Sequence, residues 1–375
     1  MRGLKPQSQY LRTFQNQSMT IQRDIGFCKS SDRVELAMGL YGRGPPLVKA
    51  ATWLTHIELD RVSPFDRQLI DAFAPDFRYV TYDARGCGLS QRRVDDVSFE
   101  AWVQDLEAVV DALALDRFAL LGISQGAAVG VAYAARHPER VSRLILLGGF
   151  ATSYFTTGKP DPTVVQEAET LLKIVEIGWG SARPAFRQVF VSKFLPDATA
   201  EQRREFDALQ KATVAPEMAV RYLQTMYSVN VKDLAALVRC PVLALHMKGD
   251  QLIYFDQGRR LAASIPGARF VPLEGNNHIP LAHEPAWTVF VNEVKSFLGA
   301  KRNEAPGASR GSLTPRQLDV LARVARGQTD KEIARDLRLS PRTVEMHVAG
   351  AMKALGAKTR AEAVAKSHEH RHVQR

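Results

Sequence analysis

The chain has 375 residues, enough for two domains, and its composition of 45% hydrophobic and 24% charged residues is ordinary for a globular protein. No apolar run approaches the roughly 18 residues that a membrane-spanning helix needs, and the three cysteines are too far apart for a disulfide framework or a metal site. These features exclude a membrane protein and a disulfide-rich secreted domain. They predict a cytoplasmic protein with no metal, no other cofactor and no membrane partner.

The formal net charge of +10 is concentrated at one end of the chain. Residues 301–375 hold 16 Lys and Arg against 8 Asp and Glu, a net charge of +8, which leaves +2 for residues 1–300. A local basic excess is typical of a nucleic-acid-binding module joined to a near-neutral domain. A solvated charged tail fits the same count, so charge alone does not decide between the two.

Hydrophobic patterning over the first 300 residues indicates strands that alternate with helices. We predict strands at 33–41, 47–52, 78–82, 118–123, 144–147, 241–246 and 269–272, with helices at 98–115 and 284–298. Such alternation is typical of a mainly parallel sheet covered on both faces, so the predicted fold class is α/β. Residues 1–24 are polar and predicted to form a loose extension, which leaves 25–299 for this domain.

The alternation stops between residues 150 and 239, where the sequence is helix-like and rich in aromatic residues. An insertion at this point lies over the carboxyl ends of the strands, where ligands bind in open α/β sheets. We interpret the segment as a helical lid over an apolar pocket. The alternative, that most of these aromatic side chains only pack the core of the lid itself, stays open.

Ser124 lies between a predicted strand, 118–123, and an alanine-rich, helix-compatible stretch, 125–136. A chain that passes from strand to helix within one residue forces that residue into a strained conformation. Gly122 and Gly126 lack a Cβ atom and let the strand and the helix approach each other. The sequence G-x-S-x-G is therefore a nucleophile elbow, which presents a serine hydroxyl at the edge of an α/β sheet.

A nucleophilic serine needs a base to take its proton and a third group to orient that base. Asp250 follows the predicted strand 241–246, and His278 follows the predicted strand 269–272. The order Ser124, Asp250, His278 is the chain order expected for a catalytic triad on such a sheet. We predict that His278 activates Ser124 and that Asp250 orients His278.

Residues 25–298 resemble the α/β-hydrolases. The resemblance rests on the elbow, on the loop Asp83-Ala84-Arg85-Gly86-x-Gly88-x-Ser90 and on Leu273-Glu274-Gly275-x-x-His278. It implies a serine hydrolase acting on esters, lactones, amides or related bonds, with two backbone N–H groups forming an oxyanion hole. The resemblance assigns one of these groups to Gln125. The usual His-Gly after the first core strand is replaced by Ala51-Thr52-Trp53, and we predict Trp53 N–H as the second donor.

Four short helices are predicted at the carboxyl end, after a linker at 300–312 that has no apolar periodicity. Capping-box patterns begin at Thr314, Thr329 and Thr359, and Ser340-Pro341 is a further helix start. The predicted helices are 315–326, 330–337, 341–355 and 360–367, and residues 368–375 form a tail. A turn of three residues separates the second helix from the third, which is the spacing of a helix-turn-helix.

The third predicted helix has two distinct faces. One carries an apolar stripe that we expect to pack against the second helix, Val344, Val348, Ala351 and Leu355 against Ile333, Ala334 and Leu337. The opposite face carries Arg342, Glu345, Met346, Ala349 and Lys353, and it can lie in a DNA major groove. Lys331, Arg342 and Lys353 are expected to contact phosphates. A small helical bundle for protein interaction is the alternative.

Residues 313–367 resemble the LuxR-type helix-turn-helix domain of bacterial transcription regulators. The matching residues are Leu313-Thr314-Pro315-Arg316, Gly327, Lys331-Glu332-Ile333-Ala334, Leu339-Ser340, Thr343-Val344, His347-Val348, Lys353 and Leu355. The resemblance implies double-stranded DNA as the partner, base contacts by Glu345, Met346 and Ala349, and a homodimer formed through the fourth helix. The predicted DNA-binding residues are Lys331, Arg342, Thr343, Glu345, Met346, His347, Ala349 and Lys353.

These predictions together describe a transcription regulator whose α/β-hydrolase-like domain senses a small ester, lactone or acyl ligand. The sequence leaves open whether Ser124 also hydrolyses the ligand. Double-stranded DNA, the small molecule, a second copy of the chain and RNA polymerase are the expected partners. The alternative is a serine hydrolase or esterase whose helical tail serves localisation or assembly.

Overall fold

The computed structural model describes residues 21–153, 156, 161–181, 183–299, 313, 315–337 and 341–373, with the backbone alone for residues 315, 316, 342, 353, 354 and 368–373. It forms two compact units, Met1–Gly299 and Ala300–Arg375. Most of the predicted extension 1–24 and the whole of the predicted linker 300–312 lie outside the described residues. No described helix combines the length and the apolar character needed to cross a membrane.

An eight-stranded sheet forms the centre of the first unit. Its strands are β1 (Arg23–Lys29), β2 (Glu35–Tyr41), β3 (Pro46–Lys49), β4 (Arg78–Tyr82), β5 (Phe118–Ile123), β6 (Val141–Leu147), β7 (Val242–Met247) and β8 (Arg269–Leu273). They lie in the order β1-β2-β4-β3-β5-β6-β7-β8. The β1–β2 and β2–β4 pairs are antiparallel and the others parallel. The predicted mainly parallel sheet is confirmed, and the complete burial of β5 and β7 is typical of parallel strands.

The edge strand β1 was not predicted from the sequence. It pairs with β2 over its whole length. Phe27 is 56% exposed and Ile25 is 40% exposed, so β1 buries little apolar surface and its hydrophobic pattern is weak. Arg23 and Asp24, which fall in the predicted loose extension, belong to this strand. In the middle of the sheet, β3 stops at Lys49, three residues before the predicted end of that strand.

Helices connect the strands and cover the carboxyl edge of the sheet. The connecting helices are α1 (Asp66–Phe73), α2 (Phe99–Ala112), α3 (Gln125–Arg136), α9 (Phe255–Ser264) and α10 (Pro285–Leu298). Between β6 and β7 the chain forms α4 (Pro162–Gly178), α5 (Ala185–Phe194), α6 (Ala200–Thr213), α7 (Pro216–Ser228) and α8 (Lys232–Ala235). These five helices occupy the stretch predicted as a lid, and we call them the lid helices.

The second unit consists of four helices around two small apolar clusters. They are α11 (Pro315–Val324), α12 (Asp330–Leu337), α13 (Pro341–Leu355) and α14 (Arg360–Val373). The first cluster joins Val344 and Val348 of α13 to Ile333 and Ala334 of α12, as predicted. The boundaries differ at the end of the chain, because α14 continues to Val373 and so includes most of the predicted tail 368–375.

The carboxyl half of α13 packs differently from the prediction. Ala351 and Leu355 lie in the second cluster, with Leu321 of α11 and Ala363 of α14, rather than against α12. The cause is geometric, since α12 has 8 residues and α13 has 15, about 12 Å and about 22 Å along their axes, so α12 cannot cover the whole of α13. α13 is therefore held at both ends by different partners.

Candidate active site and DNA-binding surface

Ser124 lies in the turn of one residue between β5 and α3. Its φ of 53° and ψ of −121° lie in a region that residues with a side chain rarely adopt. A Cβ added at Gly122 would lie 2.6 Å from Ala127 Cα, and one added at Gly126 would lie 2.9 Å from Ala50 O. The two glycines thus permit the close approach of strand and helix that the elbow requires.

Asp250 and His278 meet at the ends of β7 and β8. His278 Nδ1 lies 2.6 Å from Asp250 Oδ2, and both side chains are fully buried. Asp250 Oδ1 accepts hydrogen bonds from the backbone N–H groups of Leu252, at 2.9 Å, and Ile253, at 3.0 Å. Burial alone would raise the pKa of Asp250, but the attraction of His278 and the hydrogen bonds from His246 and His278 outweigh it. The pKa of this carboxyl is therefore held well below its usual range.

The other nitrogen of His278, Nε2, makes no hydrogen bond to Ser124 Oγ in this structure. His278 Nε2 is buried and has no hydrogen-bond partner in the described part of the chain. A Cβ added at Gly148 would lie 2.9 Å from His278 Cε1, so the backbone also packs tightly against this edge of the ring. The ring is held through Nδ1, which leaves Nε2 as the nitrogen available to take a proton.

One of the two backbone N–H groups predicted for the oxyanion hole already has a hydrogen-bond acceptor within the protein. Gln125 is the first residue of α3, where a backbone N–H has no partner within the helix. Trp53 N–H, predicted as the second donor, lies 3.3 Å from the Gln125 side-chain oxygen Oε1 and donates to it. Within the described ranges, Thr52 N–H makes no hydrogen bond. Thr52, one residue before the predicted donor, is therefore the better candidate for the second oxyanion contact.

Ser124 borders two cavities, and Trp53 and Phe194 border both as well. The larger cavity encloses about 920 Å³ of empty space, its open mouth included, and the lid helices form much of its wall. Its apolar lining consists of Trp53, Phe150, Val164, Ala168, Leu171, Phe190, Phe194, Leu223, Met226, Leu252 and Ile253. The smaller cavity reaches a buried ion pair, in which Lys49 Nζ lies 2.9 Å from Asp66 Oδ1. A ligand at Ser124 can thus extend into an apolar space and a smaller polar one.

A polar cluster joins the lid to the sheet domain at the wall of the larger cavity. Glu167 of α4 accepts hydrogen bonds at Oε2 from Lys193 Nζ of α5, at 3.0 Å, and from Tyr254 OH, at 3.2 Å. The Lys193 hydrogen bond is the main cause that lowers the pKa of Glu167. Because the two charges neutralise each other, the cavity wall favours an uncharged ligand. Among the described residues, no group of three or more His, Cys, Asp or Glu is arranged to hold a metal ion.

The helix-turn-helix is built on α12 and α13. The predicted capping box starts α12, with Thr329 N–H donating to Glu332 Oε2 at 2.8 Å and Glu332 N–H donating to Thr329 Oγ1 at 3.4 Å. The turn at 338–340 lies outside the described residues. Gly327 and Gly356, predicted as helix ends, both have a positive φ.

The predicted DNA-binding residues belong to α12 and α13, and those whose side chains are described differ in exposure. Lys331, Glu345, Met346 and Ala349 are exposed, and Met346 is 64% exposed although it is apolar. Thr343 and His347 are half-buried. Arg342 and Lys353 belong to α13, but their side chains lie outside the described residues. An exposed methionine in the middle of a helix is consistent with a contact surface.

One residue at the site was not predicted from the sequence. His246 Nε2 lies 3.2 Å from Asp250 Oδ2, so the carboxylate that orients His278 has a second imidazole beside it. The signal was a single polar residue inside the otherwise apolar strand β7, four residues before Asp250. A fully buried histidine in a strand needs a partner, and Asp250 is the carboxylate within reach.

A family model for the alpha/beta hydrolase fold matches residues 61–285. The chain belongs to the α/β-hydrolase fold family. The matched range contains Ser124, Asp250 and His278, whereas Trp53 precedes it. A second family model, for bacterial regulatory proteins of the luxR family, matches residues 311–367. The second unit is thus a LuxR-type helix-turn-helix domain, and the predicted fold class is confirmed.

Known proteins similar to the α/β-hydrolase domain carry the names of enzymes. RutD of Caulobacter sp. (strain K31), provisionally named a carbamate hydrolase, is 27% identical over 237 residues, which cover 61% of this chain and 85% of RutD. The 2-hydroxy-6-oxo-2,4-heptadienoate hydrolase of Pseudomonas putida is 28% identical over 241 residues, 59% of this chain and 74% of that enzyme. A hydrolase structure from Pseudomonas aeruginosa PA01 has 25% identity and a TM-score of 0.60, covering 74% of this chain and 99% of its own.

Proposed function

We propose that this protein is a cytoplasmic DNA-binding transcription regulator whose α/β-hydrolase domain binds a small ester, lactone or acyl compound. The observation that carries the proposal is the presence in one chain of a LuxR-type domain and of a hydrolase domain whose apolar cavity reaches Ser124. An accessory tail would not need the capping box, the two apolar clusters and the exposed contact helix that the second unit has.

The ligand is an uncharged molecule with an apolar arm. The apolar arm fills the larger cavity under the lid helices, where the charged residues of the described lining, Glu167 and Lys193, form an ion pair. The carbonyl lies at Ser124, and a shorter substituent points into the smaller cavity. This arrangement places the most polar atoms of the ligand beside the backbone N–H groups of Gln125 and Thr52.

The same arrangement supports acyl transfer to Ser124. His278 Nε2 takes the hydroxyl proton while Ser124 Oγ bonds to the carbonyl carbon, and Asp250 stabilises the imidazolium that forms. His278 then gives the proton to the leaving oxygen. Water hydrolyses the acyl-serine in the second half of the reaction, which returns Ser124 to its starting state.

DNA binding belongs to the second unit. Lys331, Arg342 and Lys353 neutralise phosphates, and Thr343, Glu345, Met346, His347 and Ala349 face the groove. A homodimer formed through α14 places two such helices on two half-sites, and the bound dimer contacts RNA polymerase. Ligand binding regulates transcription if the ligand has different affinities for two states of the dimer, since only such a difference shifts their populations.

Selection of the full chain against a library of random DNA duplexes tests the proposal. We expect enrichment of a two-fold symmetric sequence, because a homodimer presents the same helix to both half-sites. Ser124→Ala should select the same sequence, whereas Glu345→Ala should relax the preference for the base pair that it contacts. Failure of the wild-type chain to enrich any sequence contradicts the proposal.

A serine hydrolase with an accessory tail is the second candidate, and the enzyme names of the relatives favour it. Turnover of short acyl nitrophenyl esters by the wild-type chain and by Ser124→Ala separates the two candidates. Rapid turnover that requires Ser124, together with no sequence preference on DNA, would favour the enzyme. Sequence-specific DNA binding that changes when an ester or lactone is added would favour the regulator.

A further inference from the structure

The carboxylate of Asp250 has two imidazoles at the same oxygen. Oδ2 lies 2.6 Å from Nδ1 of His278 and 3.2 Å from Nε2 of His246. The side chains of all three residues are fully buried. A triad requires only the first of these contacts, so the second needs its own explanation.

The surroundings of His246 determine which nitrogen carries the proton. His246 Nε2 lies 2.7 Å from the carbonyl oxygen of Ile253, and a carbonyl oxygen can only accept a hydrogen bond. Nε2 must therefore be protonated, and its N–H donates to Ile253 O, while Asp250 Oδ2 lies beside it at 3.2 Å. Nδ1 is buried and has no hydrogen-bond partner in the described part of the chain, so a second proton there would be unsatisfied. His246 thus acts as a hydrogen-bond donor through Nε2.

The residues packed around His246 restrict its ring to a single position. A Cβ added at Gly258 of α9 would collide with His246 Nδ1, so a side chain at this position is excluded while the ring stays where it is. Phe255 packs edge-on against the ring, with centroids 6.1 Å apart and planes at 84°. The ring therefore lies between β7 and the backbone at Gly258 of α9, with Phe255 packed at its edge.

His246 and Asp250 also hold the same short segment of chain. Ile253 donates its N–H to Asp250 Oδ1 and accepts the His246 N–H at its carbonyl oxygen. Gln251, Leu252, Ile253 and Tyr254 line the larger cavity next to Ser124. The segment that forms part of the cavity wall is consequently held by the Asp250 carboxylate and by the His246 imidazole together.

We propose that His246 is a positioning residue of this site, which fixes the Asp250 carboxylate so that Oδ2 meets His278 Nδ1. The inference rests on the roles proposed above for Ser124, Asp250 and His278. His246 does not touch the ligand, and it acts only through Asp250. Its N–H donates to Ile253 O and lies 3.2 Å from Oδ2, so it holds the turn that carries the carboxylate and favours the charged form of Asp250.

Two variants separate the hydrogen bond from the bulk of the ring. His246→Leu fills similar space without a donor, whereas the side-chain amide of His246→Gln can place an N–H near the position of Nε2. Phe255→Leu is the matched control, because it removes packing against the same ring but has no polar atom near Asp250. Gly258→Ala leaves His246 in the sequence but displaces its ring. It replaces His246→Leu in the experiment if thermal unfolding shows that His246→Leu does not fold.

The first readout is the NMR spectrum of the full-length protein labelled with nitrogen-15 in histidine. We expect His246 to show a protonated Nε2 and a bare Nδ1, and His278 Nδ1–H to give a strongly hydrogen-bonded proton resonance. His246→Leu and Gly258→Ala should shift or broaden the His278 resonance, His246→Gln should largely restore it, and Phe255→Leu should leave it in place. An unchanged His278 resonance in His246→Leu or Gly258→Ala overturns the proposal.

The second readout is the rate at which a fluorophosphonate probe labels Ser124. We expect His246→Leu to lower this rate by about tenfold or more, as for outer residues that orient the ligands of metal sites, and His246→Gln to recover most of it. If the wild-type chain is not labelled but the His278 resonance follows the His246 variants, the hydrolytic chemistry fails and the positioning role stands. If labelling is rapid in the wild type and equal in His246→Leu, the positioning role fails and the hydrolytic chemistry stands.

Discussion

The two units of this protein differ in how their functional residues are brought together. In the LuxR-type domain, the predicted DNA-binding residues lie on two successive helices, α12 and α13. In the α/β-hydrolase domain, Ser124, Asp250 and His278 follow three different strands, β5, β7 and β8, and the lid insertion separates the first from the other two. A surface on one helix follows from local periodicity, whereas the hydrolase site exists only if the strands pair in the correct order.

The comparison also indicates that the two sites can be disturbed separately. The apolar clusters of the second unit consist of its own residues, and the hydrolase site is held by the ends of the sheet. Tryptophan makes the separation measurable, because all four tryptophans, Trp53, Trp102, Trp179 and Trp287, lie in the first unit. Their fluorescence follows the hydrolase domain alone, and circular dichroism follows the helices of both.

The largest expected effect is that of Ser124→Ala. If the elbow serine is the nucleophile, the substitution removes fluorophosphonate labelling and lowers ester turnover by up to about 10⁶-fold, the loss known for a triad serine. Affinity for duplex DNA without ligand should not change. Ser153→Ala is the control, because Ser153 also lines the larger cavity but donates its hydroxyl to Tyr227 O. Equal turnover in both variants would contradict the assignment.

Salt should affect the two sites differently. If the second unit neutralises six or more phosphates, its affinity for duplex DNA falls by about 10³-fold or more between 50 and 200 mM salt, whereas ligand binding to the apolar cavity changes little. Lys331→Ala should reduce the slope of log K against log salt by about 0.9. Lys211→Ala, an equal charge change on the exposed lid helix α6, should leave the slope unchanged. A slope near zero in the wild-type chain would exclude phosphate binding.

A core substitution tests whether the second unit unfolds by itself. Ile333 is fully buried in the cluster of α12 and α13, so Ile333→Ala should destabilise this unit by about 2–5 kcal/mol. The unfolding temperature measured by circular dichroism and the affinity for DNA should both decrease. The unfolding temperature measured by tryptophan fluorescence should not change. Met346→Ala, at an exposed position of α13, should weaken DNA binding without changing either transition. A parallel shift of the fluorescence transition in Ile333→Ala would show that the units are coupled.

The smallest expected effect is on the pH dependence of stability in the hydrolase domain. Burial raises the pKa of Asp83 to about 7, although the N–H groups of Leu89 and Ile57 lower it, and burial also raises the pKa of Asp60 to about 7. The usual pKa of an unfolded aspartate is about 3.9. The stability that the bound protons contribute is therefore complete below about pH 4 and is lost as the pH rises through 7.

The contribution of Asp250 to stability changes with pH in the opposite direction, because the pKa of its carboxyl is held below the usual range. The contribution of Asp250 to stability is present above about pH 4 and is lost as the pH falls.

The two buried acids Asp83 and Asp60 can be tested between pH 5.5 and pH 8. We expect urea unfolding followed by tryptophan fluorescence to give a lower free energy of unfolding at pH 8 than at pH 5.5. Asp83→Asn should reduce that difference, since an amide cannot ionise. Equal stability at both pH values in the wild-type chain would refute the effect of the buried acids.

Much of the architecture could be predicted because strong local signals agree with it. The elbow at Ser124, the capping box at Thr329 and the burial of Val344 and Val348 each follow from residues a few positions apart. β1 could not be predicted, because an edge strand with exposed Phe27 has no clear alternation. The division of α13 between two apolar clusters could not be predicted either. Hydrophobic periodicity defines the buried face of a helix but not which neighbouring helix covers it.

Two features of the candidate site depend on long-range geometry. Trp53 N–H was predicted as an oxyanion donor, but the Gln125 side chain, brought to it by the pairing of β3 with β5, accepts that hydrogen bond. His246 and Asp250 are only four residues apart, but their contact forms because the chain turns at the end of β7 and directs both side chains at Ile253. The sequence marks His246 as a polar residue in an apolar strand, but it does not show which group His246 meets, and it carries no sign of the Trp53–Gln125 hydrogen bond.

The amino-acid sequence by itself determined the two domains, the parallel sheet, the lid insertion and the order of Ser124, Asp250 and His278, because helix and strand periodicity and turn residues act over short distances. Only the tertiary structure decided that the Gln125 side chain accepts from Trp53 N–H, which cavities Ser124 borders, and that a second histidine lies beside the Asp250 carboxylate. Those contacts depend on the register of strands distant in sequence, and burial makes each of them matter because an unpaired polar group in the interior is costly.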